Sequence, residues 1–459
     1  MGVRKRRMSL GLSIANLGYH YAAWRHPGVP ADGNMRFAHY RHCAALAERG
    51  KFDLIFLADS SAVRDLDNTA IARELEHQLV KHEPMALLAA MSTCTKHVGL
   101  VATASTTYYQ PYNLARMFAT LDILSNGRAG WNMVTSFSLD EARNFGLDRV
   151  LPSDVRHERA TEFLEVFKGL FDSFDDGAIP IDKASGIFFD RTRTHLLNFK
   201  GKHFDVRGPL DTPTTPQRQI PVFTAGESEN SQELAARAAD VVYGGQPDIA
   251  SARAYYASLK GRLAKYGRSH DDLKVMPGIM PFVGRTMDEA RAKFDRMQEL
   301  ILPRLGLGLL VVNGFPDYTG YDIDGPIPED VEDGKQLSPT NSKGGFSAKL
   351  MAEARRDNLT IRGLYERVSA GFWHMGVVGT PTSIADLMEE WFTTGAADGF
   401  NIQSPCIPVD SEAFVELVIP ELQRRGLFRT EYEGTTLREH LGLKPAVSRY
   451  AEPMRAAGN

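Results

Sequence analysis

Short apolar runs alternate with amphipathic segments along almost the whole chain, and this alternation limits the possible folds more than any other feature. The runs are continuously apolar, which is typical of strands buried on both faces of a parallel sheet. Eight buried parallel strands favour a closed (β/α)8 TIM barrel over an open sheet. The predicted strands are 9–16, 52–59, 98–105, 128–136, 220–226, 240–245, 274–284 and 399–405.

Three segments between these strands repeat apolar residues at i, i+3, i+4 and i+7, the spacing of one helix face. The repeats begin at Leu114, Phe163 and Ile384. In the third segment Thr380 is the predicted N-cap and Pro381 the first helical residue. A doubly wound open sheet is disfavoured, because no G-x-G-x-x-G motif follows the first strand.

The composition excludes several classes of protein. The 459 residues suit one large barrel domain spanning 1–459, and 53 basic against 57 acidic residues give no basic footprint for nucleic acid. No run is apolar enough to span a membrane, and the segment after the basic residues 4–7 is too interrupted for a secretory signal. The three cysteines lie far apart, so we expect no disulfide framework, no structural metal site and a reducing, cytoplasmic location.

Two irregular stretches interrupt the alternation. Residues 172–218 and 314–347 are rich in Gly, Pro and polar residues, as is usual for lids, binding loops or disordered segments. We interpret both as barrel insertions that form a lid over the carboxyl-terminal face, the second as a mobile cover. A surface excursion without a role is the alternative for the second insertion. Residues 426–459 are read as a carboxyl-terminal extension.

Polar side chains follow successive predicted strands, where the active site of such a barrel lies. Asp59 ends the second strand, Thr103 and its neighbours end the third, and Asn132 lies on the fourth. The first strand runs into residues 18–27, which are dense in aromatic and imidazole groups. Taken singly, each of these residues is as easily explained by packing, capping or local hydrogen bonds. Their placement on successive strand ends is what favours a planar aromatic ligand.

The turn after the fifth strand is the best anion site in the sequence. Gly226 permits a close approach of the backbone, Ser228 can donate, and the helix that follows adds free N–H groups. Against this, Glu227 and Glu229 add negative charge, and Ser228 could serve only as a helix cap. A ring with a phosphate tail would use both the strand ends and this turn. FMN fits that description, as do other phosphorylated aromatic compounds.

Several catalytic motifs are absent. The chain has no P-loop and no HExxH, and residues 226–230 lack the last glycine of a nucleophile elbow. Hydrolysis by a recognised nucleophile or by zinc is therefore unsupported, and so is direct use of NAD(P)H through a Rossmann domain.

Long segments of the chain resemble the bacterial-luciferase-like flavin monooxygenases, and within them the branch of nitrilotriacetate, EDTA and dibenzothiophene-sulfone monooxygenases. The resemblance extends from about residue 9 to residue 444. The segments that carry it include GYHYAAWRHP, FDLIFLADS, TASTTYYQPYNLARMFATLDILSNGRAGWNMVTS, AGESENSQELAARAAD, VGTPTSIADLMEEWFTTGAADGFN and VIPELQRRGLFRTEYEGTTLREHLGL.

The resemblance implies a metal-free barrel enzyme that receives reduced FMN from a separate NAD(P)H:flavin reductase. Reduced flavin and O2 form a flavin (hydro)peroxide, which gives one oxygen atom to a small organic substrate in catabolism. Relatives of this kind are often dimers or tetramers. Three alternatives stay open: a flavin-cleaving enzyme of the riboflavin lyase type, a deazaflavin-dependent oxidoreductase on the same barrel, and a flavin carrier without chemistry.

The flavin contacts of the family carry over where residues match. Asp59 matches the aspartate after the second strand, and Thr106 matches the threonine of the third, with Thr103 as a near alternative. Ser228 matches the phosphate-binding serine, and Glu229 beside it is counted among the predicted cofactor contacts.

The sequence departs from the branch after the fourth strand. Where the branch usually has the histidine and the tyrosine of an H-D-x-R-Y motif, this chain has Ser153 and His157. Ser153 can still donate a hydrogen bond, and His157 could replace the phenol donor and carry charge below its pKa. Both are predicted to contact the cofactor, with altered affinity or peroxide chemistry as a possible consequence.

Three residues are predicted to be catalytic: His20, His374 and Asn132. Either histidine could be the acid that protonates or steers the distal peroxide oxygen, if it faces the substrate. A structural histidine is an equally good interpretation of each.

Overall fold

The computed structural model describes residues 6–63, 81–329, 341–371 and 374–451. Its strands are β1 Ser9–Ser13, β2 Leu54–Leu57, β3 Gly99–Ser105, β4 Ala129–Val134, β5 Phe199–Lys200, β6 Asp205–Val206, β7 Val222–Ala225, β8 Val241–Gly244, β9 Lys274–Val283, β10 Met375–Gly379 and β11 Gly399–Gln403. Eight of them pair in parallel in the circular order β1-β2-β3-β4-β7-β8-β9-β11, and β11 pairs back with β1. The closed barrel and all eight predicted strands are therefore confirmed.

Helices alternate with these strands and cover the barrel. They are α1 Phe37–Arg49, α2 Pro84–Ser92, α3 Pro111–Leu124, α4 Leu139–Asn144, α5 Ser153–Phe171, α6 Glu229–Ala238, α7 Ile249–Arg262, α8 Met287–Glu299, α9 Pro303–Val312, α10 Asn341–Arg356, α11 Ile361–Ser369, α12 Pro381–Thr393, α13 Val409–Ala413, α14 Ile419–Arg424 and α15 Leu437–His440, with a π-helical turn at Phe414–Val418. The predicted start of α12 is confirmed, because Thr380 caps it and Pro381 is its first residue.

The outer core fills the space between strands and helices. Trp131 on β4 packs against Phe163 and Phe167 of α5, with ring centroids 5.6 and 4.6 Å apart. The apolar residues whose spacing predicted α5 therefore form the face that this helix packs against the barrel.

The carboxyl-terminal extension closes the end of the barrel at which the strands begin. Leu437 and Leu441 join a core cluster with residues of the barrel interior, including Val101. The absence of side chains at Gly99 and Gly130 makes room for Leu437, since a Cβ on either would lie within 3.0 Å of its side-chain carbons. Residues 452–459 of the extension lie outside the described part.

A second core lies beyond the opposite end, where the strands finish. The second half of β9 extends past the barrel and pairs with β10, a strand that the sequence did not predict. Phe282 on this extension, Tyr21 after β1, Tyr318 and Tyr365 belong to one buried cluster. Tyr318 lies in the second predicted insertion, so the described part of that insertion does cover the carboxyl-terminal face.

The predicted boundaries of the second insertion need one correction. Residues 341–347, expected to be irregular, form the first turns of α10. Residues 330–340 of the insertion lie outside the described part, and its predicted mobility stays a prediction.

The first insertion does not form the predicted lid over the carboxyl-terminal face. Its β5–β6 hairpin lies along α5, where the Glu162 carboxylate accepts from the amides of His203 and Phe204. Its end returns to the rim at which the strands begin, where Gln217 donates to Asp122 at 2.6 Å. The Glu162 carboxylate on the side of α5 thus holds this insertion on the flank of the barrel.

Two further features concern the described residues only. No helix among them is long and apolar enough to cross a membrane. No group of three or more histidine, cysteine, aspartate or glutamate side chains in these ranges is arranged to hold a metal ion.

Candidate active site

A row of hydrogen bonds joins the ends of β2, β3 and β4. Thr103 donates to the carbonyl oxygen of Leu57 at 2.7 Å, and Asn132 Nδ2 donates to Thr103 Oγ1 at 2.9 Å. The Oδ1 atom of Asn132 is buried without a hydrogen-bond partner among the described residues. Because buried polar atoms are normally satisfied, this oxygen points to a ligand donor.

Asp59 is half-buried in the loop directly after β2. Burial raises the pKa of its carboxyl, and the charges of Glu83 and Glu141 raise it further, while Lys81 acts in the opposite direction. Glu141 also fixes this loop, because its carboxylate accepts from the Ser61 amide at 3.0 Å. The predicted contact Asp59 therefore lies on a positioned loop, beside the row at Thr103.

The first turns of α5 and α6 meet in a corner rich in hydroxyl groups. Ser228 caps α6, and its Oγ lies 2.8 Å from Ser231 Oγ. His157 Nε2 lies 3.4 Å from Ser231 Oγ, and His157 Nδ1 lies 2.7 Å from the carbonyl oxygen of Ser153. The structure thus brings the predicted contacts Ser153, His157 and Ser228 together. We call Ser153, His157, Ser228 and Ser231 the serine–histidine corner.

The two acidic residues of this turn are already engaged. Glu229 is paired with Arg262, at 2.8 Å for one of its oxygens, and Glu227 Oε1 accepts from Gln246 at 2.9 Å. The predicted cofactor contact at Glu229 therefore needs correction. Its side chain is engaged by Arg262, and its backbone amide is the group that could contact a ligand. The pairing with Arg262 offsets the charge of Glu229, one of the two carboxylates that count against an anion in the corner.

Thr106 differs from its predicted alternative Thr103 in its hydrogen-bond partners. It is fully buried, and its hydroxyl donates to the carbonyl oxygen of Val134 at 3.2 Å. Its own carbonyl accepts from Arg159 at 3.1 Å. Thr103 lies in the hydrogen-bonded row with Asn132, whereas the described hydrogen bonds of Thr106 do not reach that row.

The two predicted catalytic histidines lie on the other side of the barrel mouth. His20 is fully buried after β1, and its Nδ1 accepts from the Ala22 amide at 3.2 Å. His374 precedes β10, and burial lowers its pKa to about 4, while the carbonyl of Gly244 acts in the opposite direction. His374 is therefore neutral near pH 7, which suits a hydrogen-bonding group or a base rather than the predicted acid.

Three residues that sequence reasoning missed belong to the same side. Tyr243 on β8, with Asn401 and Gln403 on β11, are more than nine-tenths buried, and each has a side-chain oxygen without a partner among the described residues. A Cβ on Gly278 would lie 2.5 Å from His374 Nδ1 and 3.0 Å from Gln403 Nε2, so both side chains lie close to this glycine. The signal was present in the sequence, because Asn401 and Gln403 are polar residues two apart in an apolar strand and so share one face.

The polar groups therefore form two arcs around the carboxyl-terminal rim. The first arc, on the ends of β2, β3, β4 and β7, holds Asp59, Thr103, Asn132 and the serine–histidine corner. The second arc, on β8, β9, β10 and β11, holds Tyr243, His374, Asn401 and Gln403 and carries no charged side chain. Fold and site together define a (β/α)8 barrel enzyme whose polar groups lie on two arcs of its carboxyl-terminal rim.

Comparison with known proteins places the chain within that class. The chain belongs to the luciferase-like monooxygenase family, whose sequence model matches residues 17–398. It is 44% identical to N-acetyl-S-(2-succino)cysteine monooxygenase of Bacillus subtilis (strain 168), over 98% of this chain and 100% of that protein. It is 45% identical to nitrilotriacetate monooxygenase component A of Aminobacter aminovorans, over 99% and 100%. The crystal structure of DmoA from Hyphomicrobium sulfonivorans superposes with a TM-score of 0.84 at 29% identity, over 95% and 92% of the chains.

These findings confirm the predicted family branch and the predicted activity. The chain is a flavin-dependent monooxygenase, the oxygenase component that uses reduced FMN and O2. A coenzyme F420-dependent reductase structure, the class of the deazaflavin alternative, shares 15% identity at a TM-score of 0.55, which shows the barrel alone.

Proposed function

We propose that this monooxygenase receives reduced FMN from a separate NAD(P)H:flavin reductase and oxygenates a small organic acid substituted at nitrogen or sulfur. Nitrilotriacetate monooxygenase component A is by its name one part of a system of more than one protein, which supports a separate reductase. A homodimer or homotetramer in the cytoplasm, acting in catabolism, completes the proposal. Its location is supported by three cysteines that are all free, two of them buried.

The serine–histidine corner is the observation that carries the cofactor assignment. Two helix amino termini, Ser228, Ser231 and His157 converge there, and the acidic side chains of the turn are engaged elsewhere. This donor set fits a phosphate group. We assign the FMN phosphate to the corner, with Ser153 at its edge.

The ring system of FMN then lies along the rest of the first arc. The Oδ1 atom of Asn132 is a buried acceptor without a partner among the described residues, and it fits an N–H group of a reduced flavin ring. Asp59 is a second acceptor on the same arc. When bound, reduced FMN supplies the electrons that activate O2. Thr103 holds Asn132 in position, and the second core around Tyr318 keeps water from the mouth.

The second arc is the proposed substrate wall. Its amide, phenol and imidazole groups are neutral, so they select by hydrogen bonding and shape rather than by charge. Both His374 and Gln403 lie close to Gly278. The Oε1 atom of Gln403 and the Nδ1 atom of His374 are buried without partners among the described residues and can accept from a substrate N–H or O–H group. The two relatives described above, one acting on a substituted cysteine and one on nitrilotriacetate by name, support a substrate with a carbon–sulfur or carbon–nitrogen bond.

Binding experiments test the cofactor assignment. We expect Ser228→Ala to weaken oxidised FMN at least tenfold and riboflavin less than twofold, because only FMN carries the phosphate (an order-of-magnitude expectation from charge-assisted hydrogen bonds). Thr286→Ala is the matched control, since Thr286 caps α8 in the same way. Equal losses for FMN and riboflavin in Ser228→Ala would remove the phosphate from the corner.

An activity assay tests the reaction. Photoreduced FMN, air and a panel of S-substituted cysteines and N-substituted amino acids are supplied, and products are followed by mass spectrometry. We expect a product that forms only when the substrate is present and that carries one oxygen atom from labelled O2. The substrate is either oxygenated intact or cleaved at its carbon–sulfur or carbon–nitrogen bond. The crystal structure of the riboflavin lyase RcaE shares 26% identity at a TM-score of 0.82, so riboflavin is included in the panel. Consumption of riboflavin alone would replace this proposal with a flavin-cleaving activity.

A further inference from the structure

His157 joins the first turns of α5 and α6 through a chain of hydrogen bonds. Its Nδ1 lies 2.7 Å from the Ser153 carbonyl oxygen and its Nε2 lies 3.4 Å from Ser231 Oγ. Because a carbonyl oxygen only accepts, Nδ1 carries a proton. The neutral imidazole therefore has its lone pair on Nε2, where it accepts from the Ser231 hydroxyl.

The serine hydroxyls continue this chain toward the exposed end of α6. Ser228 and Ser231 have their Oγ atoms 2.8 Å apart. Since the Ser231 proton is directed to His157, the proton between the two serines comes from Ser228. Both hydroxyl protons thus point inward to the neutral imidazole, whereas a phosphate only accepts and needs donors that point outward.

We propose that the FMN phosphate binds to the serine–histidine corner together with one proton, which His157 Nε2 takes up from solvent. The inference rests on the proposed function, because it requires the phosphate to lie in this corner. The added proton converts Nε2 from an acceptor into a donor. It also allows the hydroxyls of Ser231 and Ser228 to turn toward the phosphate, and it places a positive charge beside a dianion. No covalent bond forms, and the proton comes from the buffer.

Among the described residues, no carboxylate of α5 is paired with this imidazole. Glu158 pairs with Lys202 at 2.9 Å on the outer side of the helix. Arg156 donates to the carbonyl oxygen of Ser136 at 3.0 Å in the loop after β4. Asp154 is exposed in the first turn. The amino end of α5 itself disfavours a cation.

On the facing helix α6, Glu229 is paired with Arg262. Glu227, in the turn before α6, keeps its charge, but its Oε1 accepts from the neutral amide of Gln246 and no described hydrogen bond joins it to His157. The phosphate is therefore the anion that we expect to lie directly against a positive charge on His157. This is the reason to expect proton uptake on FMN binding rather than a histidine that is charged beforehand.

Calorimetry of oxidised FMN at pH 8, in buffers of different ionisation enthalpy and without inorganic phosphate, measures the proton directly. At this pH an ordinary histidine is mostly neutral and a phosphate monoester, with a second pKa of about 6, is mostly a dianion. We expect uptake approaching one proton for each FMN bound and no uptake for riboflavin. The FMN Kd should weaken by up to about tenfold for each pH unit above 7.

Variants of the corner identify where the proton goes. His157→Tyr keeps a permanent donor, so we expect it to bind FMN with no proton uptake and with a Kd that is flat from pH 7 to pH 9. His157→Gln is a second variant, in case the tyrosine disturbs the fold, and its uptake should also be lost. His42→Gln, at an exposed histidine that contacts Glu412, and Asp154→Asn should both retain the uptake. A titrating His157 ring nitrogen in NMR spectra with FMN would support the assignment independently.

The outcomes separate this inference from the proposed function. Undiminished proton uptake in His157→Tyr, or equal uptake with FMN and riboflavin, would overturn the role of His157. Loss of uptake in Asp154→Asn would move the proton to that carboxylate and would overturn it as well. If Ser228→Ala instead weakened FMN and riboflavin equally, the phosphate would lie elsewhere and the proposed cofactor site itself would fail.

Discussion

A buried carboxylate at one end of the barrel and two buried amides at the other end differ in how their hydrogen bonds are satisfied. At the end where the strands begin, the fully buried Asp53 is paired with Arg429, and its second oxygen accepts from the Leu10 amide at 2.7 Å. At the end where the strands finish, Asn132 and Gln403 each keep a buried amide oxygen without a partner among the described residues. The Asp53 carboxylate thus has its partners within the protein, whereas the two amide oxygens at the other end are left for a bound molecule.

This difference separates stability from function along the barrel axis. The carboxyl-terminal extension supplies Arg429 and Leu437 to the first end, so chain that follows the last strand closes it. The second end leaves polar groups facing the mouth, which costs stability but provides positioned hydrogen-bonding groups. Substitutions at the two ends should therefore divide into those that change unfolding and those that change binding.

The largest effect is expected for Arg429→Met. This change leaves the carboxylate of Asp53 buried without its cation, and breaking a buried pair in this way costs about 3–5 kcal/mol of unfolding free energy. Denaturant unfolding measures it. Because Arg429 lies far from the cofactor arc, the FMN Kd of the folded protein should stay within twofold of the original.

A double variant and a surface control sharpen this prediction. Asp53→Asn combined with Arg429→Met should recover part of the loss, since no buried charge then remains. Arg424→Met removes the exposed pair with Glu421 and should cost far less than Arg429→Met, because solvent screens the two charges. Similar losses in Arg424→Met and Arg429→Met would show that burial of the pair is not the cause.

Leu437→Ala should have the next largest effect. Its side chain fills the space left by Gly99 and Gly130 at the closed end of the barrel. Removing it leaves a cavity and should cost about 2–5 kcal/mol. The exposed Leu124 is the control, since Leu124→Ala should change the unfolding free energy by about 0.5 kcal/mol or less. A small loss in Leu437→Ala would mean that the extension is not a structural part of the barrel.

The sequence predicted the barrel well because burial leaves a clear local pattern. Each of the eight barrel strands is a continuous apolar run, and α12 has its cap and first proline in the expected places. β10 was missed because Met375–Gly379 is short, contains two glycines and lies beyond the rim, where its pattern of burial is weak. The sequence did not predict that Leu437 fills the end of the barrel at which the strands begin. A short helix after the last strand has no local pattern that indicates where it packs.

The site was predicted in part for the same physical reason. Strand ends are local, so Asp59, Thr103, Asn132 and Ser228 could be named without a structure. The direction of a side chain is not local, so the sequence could not predict that Glu229 is paired with Arg262 or that burial lowers the pKa of His374. Ser231, which bridges His157 and Ser228, needed the distance between two helices.

One histidine with a lowered pKa at each end allows a pH comparison. Burial lowers the pKa of His374, at the open end, and of His440, at the closed end, to about 4. Between pH 6.5 and about 4 the unfolded chain therefore binds more protons than the folded one. Stability is present above pH 6.5 and is lost as the pH falls, by up to about 1.4 kcal/mol per pH unit for each histidine.

Single substitutions show how much of this loss of unfolding free energy comes from the histidine at each end. His374→Gln and His440→Gln should each reduce the slope of unfolding free energy against pH between 6.5 and 4, whereas His42→Gln at the surface should not. Only His374→Gln should also change kcat/KM, because His440 faces the closed end. A slope that stayed the same in both variants would show that these histidines titrate normally in the folded protein.

The smallest effect on stability is expected for Gln403→Met at the open end. The same change from glutamine to methionine at the closed end, Gln217→Met, tests whether the two ends differ. Gln403 keeps a buried Oε1 without a partner among the described residues, so an apolar side chain of similar volume should change the unfolding free energy by less than about 1 kcal/mol. Gln217 at the closed end donates to Asp122 at 2.6 Å and to the Ala129 carbonyl at 2.8 Å. Gln217→Met should therefore cost about 1–3 kcal/mol, since it leaves a buried carboxylate short of a donor.

Activity should respond in the reverse order. Gln403→Met removes a neutral polar group from the proposed substrate wall, so kcat/KM for the substrate should fall while the FMN Kd is unchanged. Gln217→Met should leave kcat/KM of the folded enzyme intact, because no residue of either arc contacts the Gln217 amide through a described hydrogen bond. If Gln403→Met cost as much stability as Gln217→Met and left kcat/KM unchanged, the open end would be an ordinary core. The division of the barrel into a stabilising end and a binding end would then be lost.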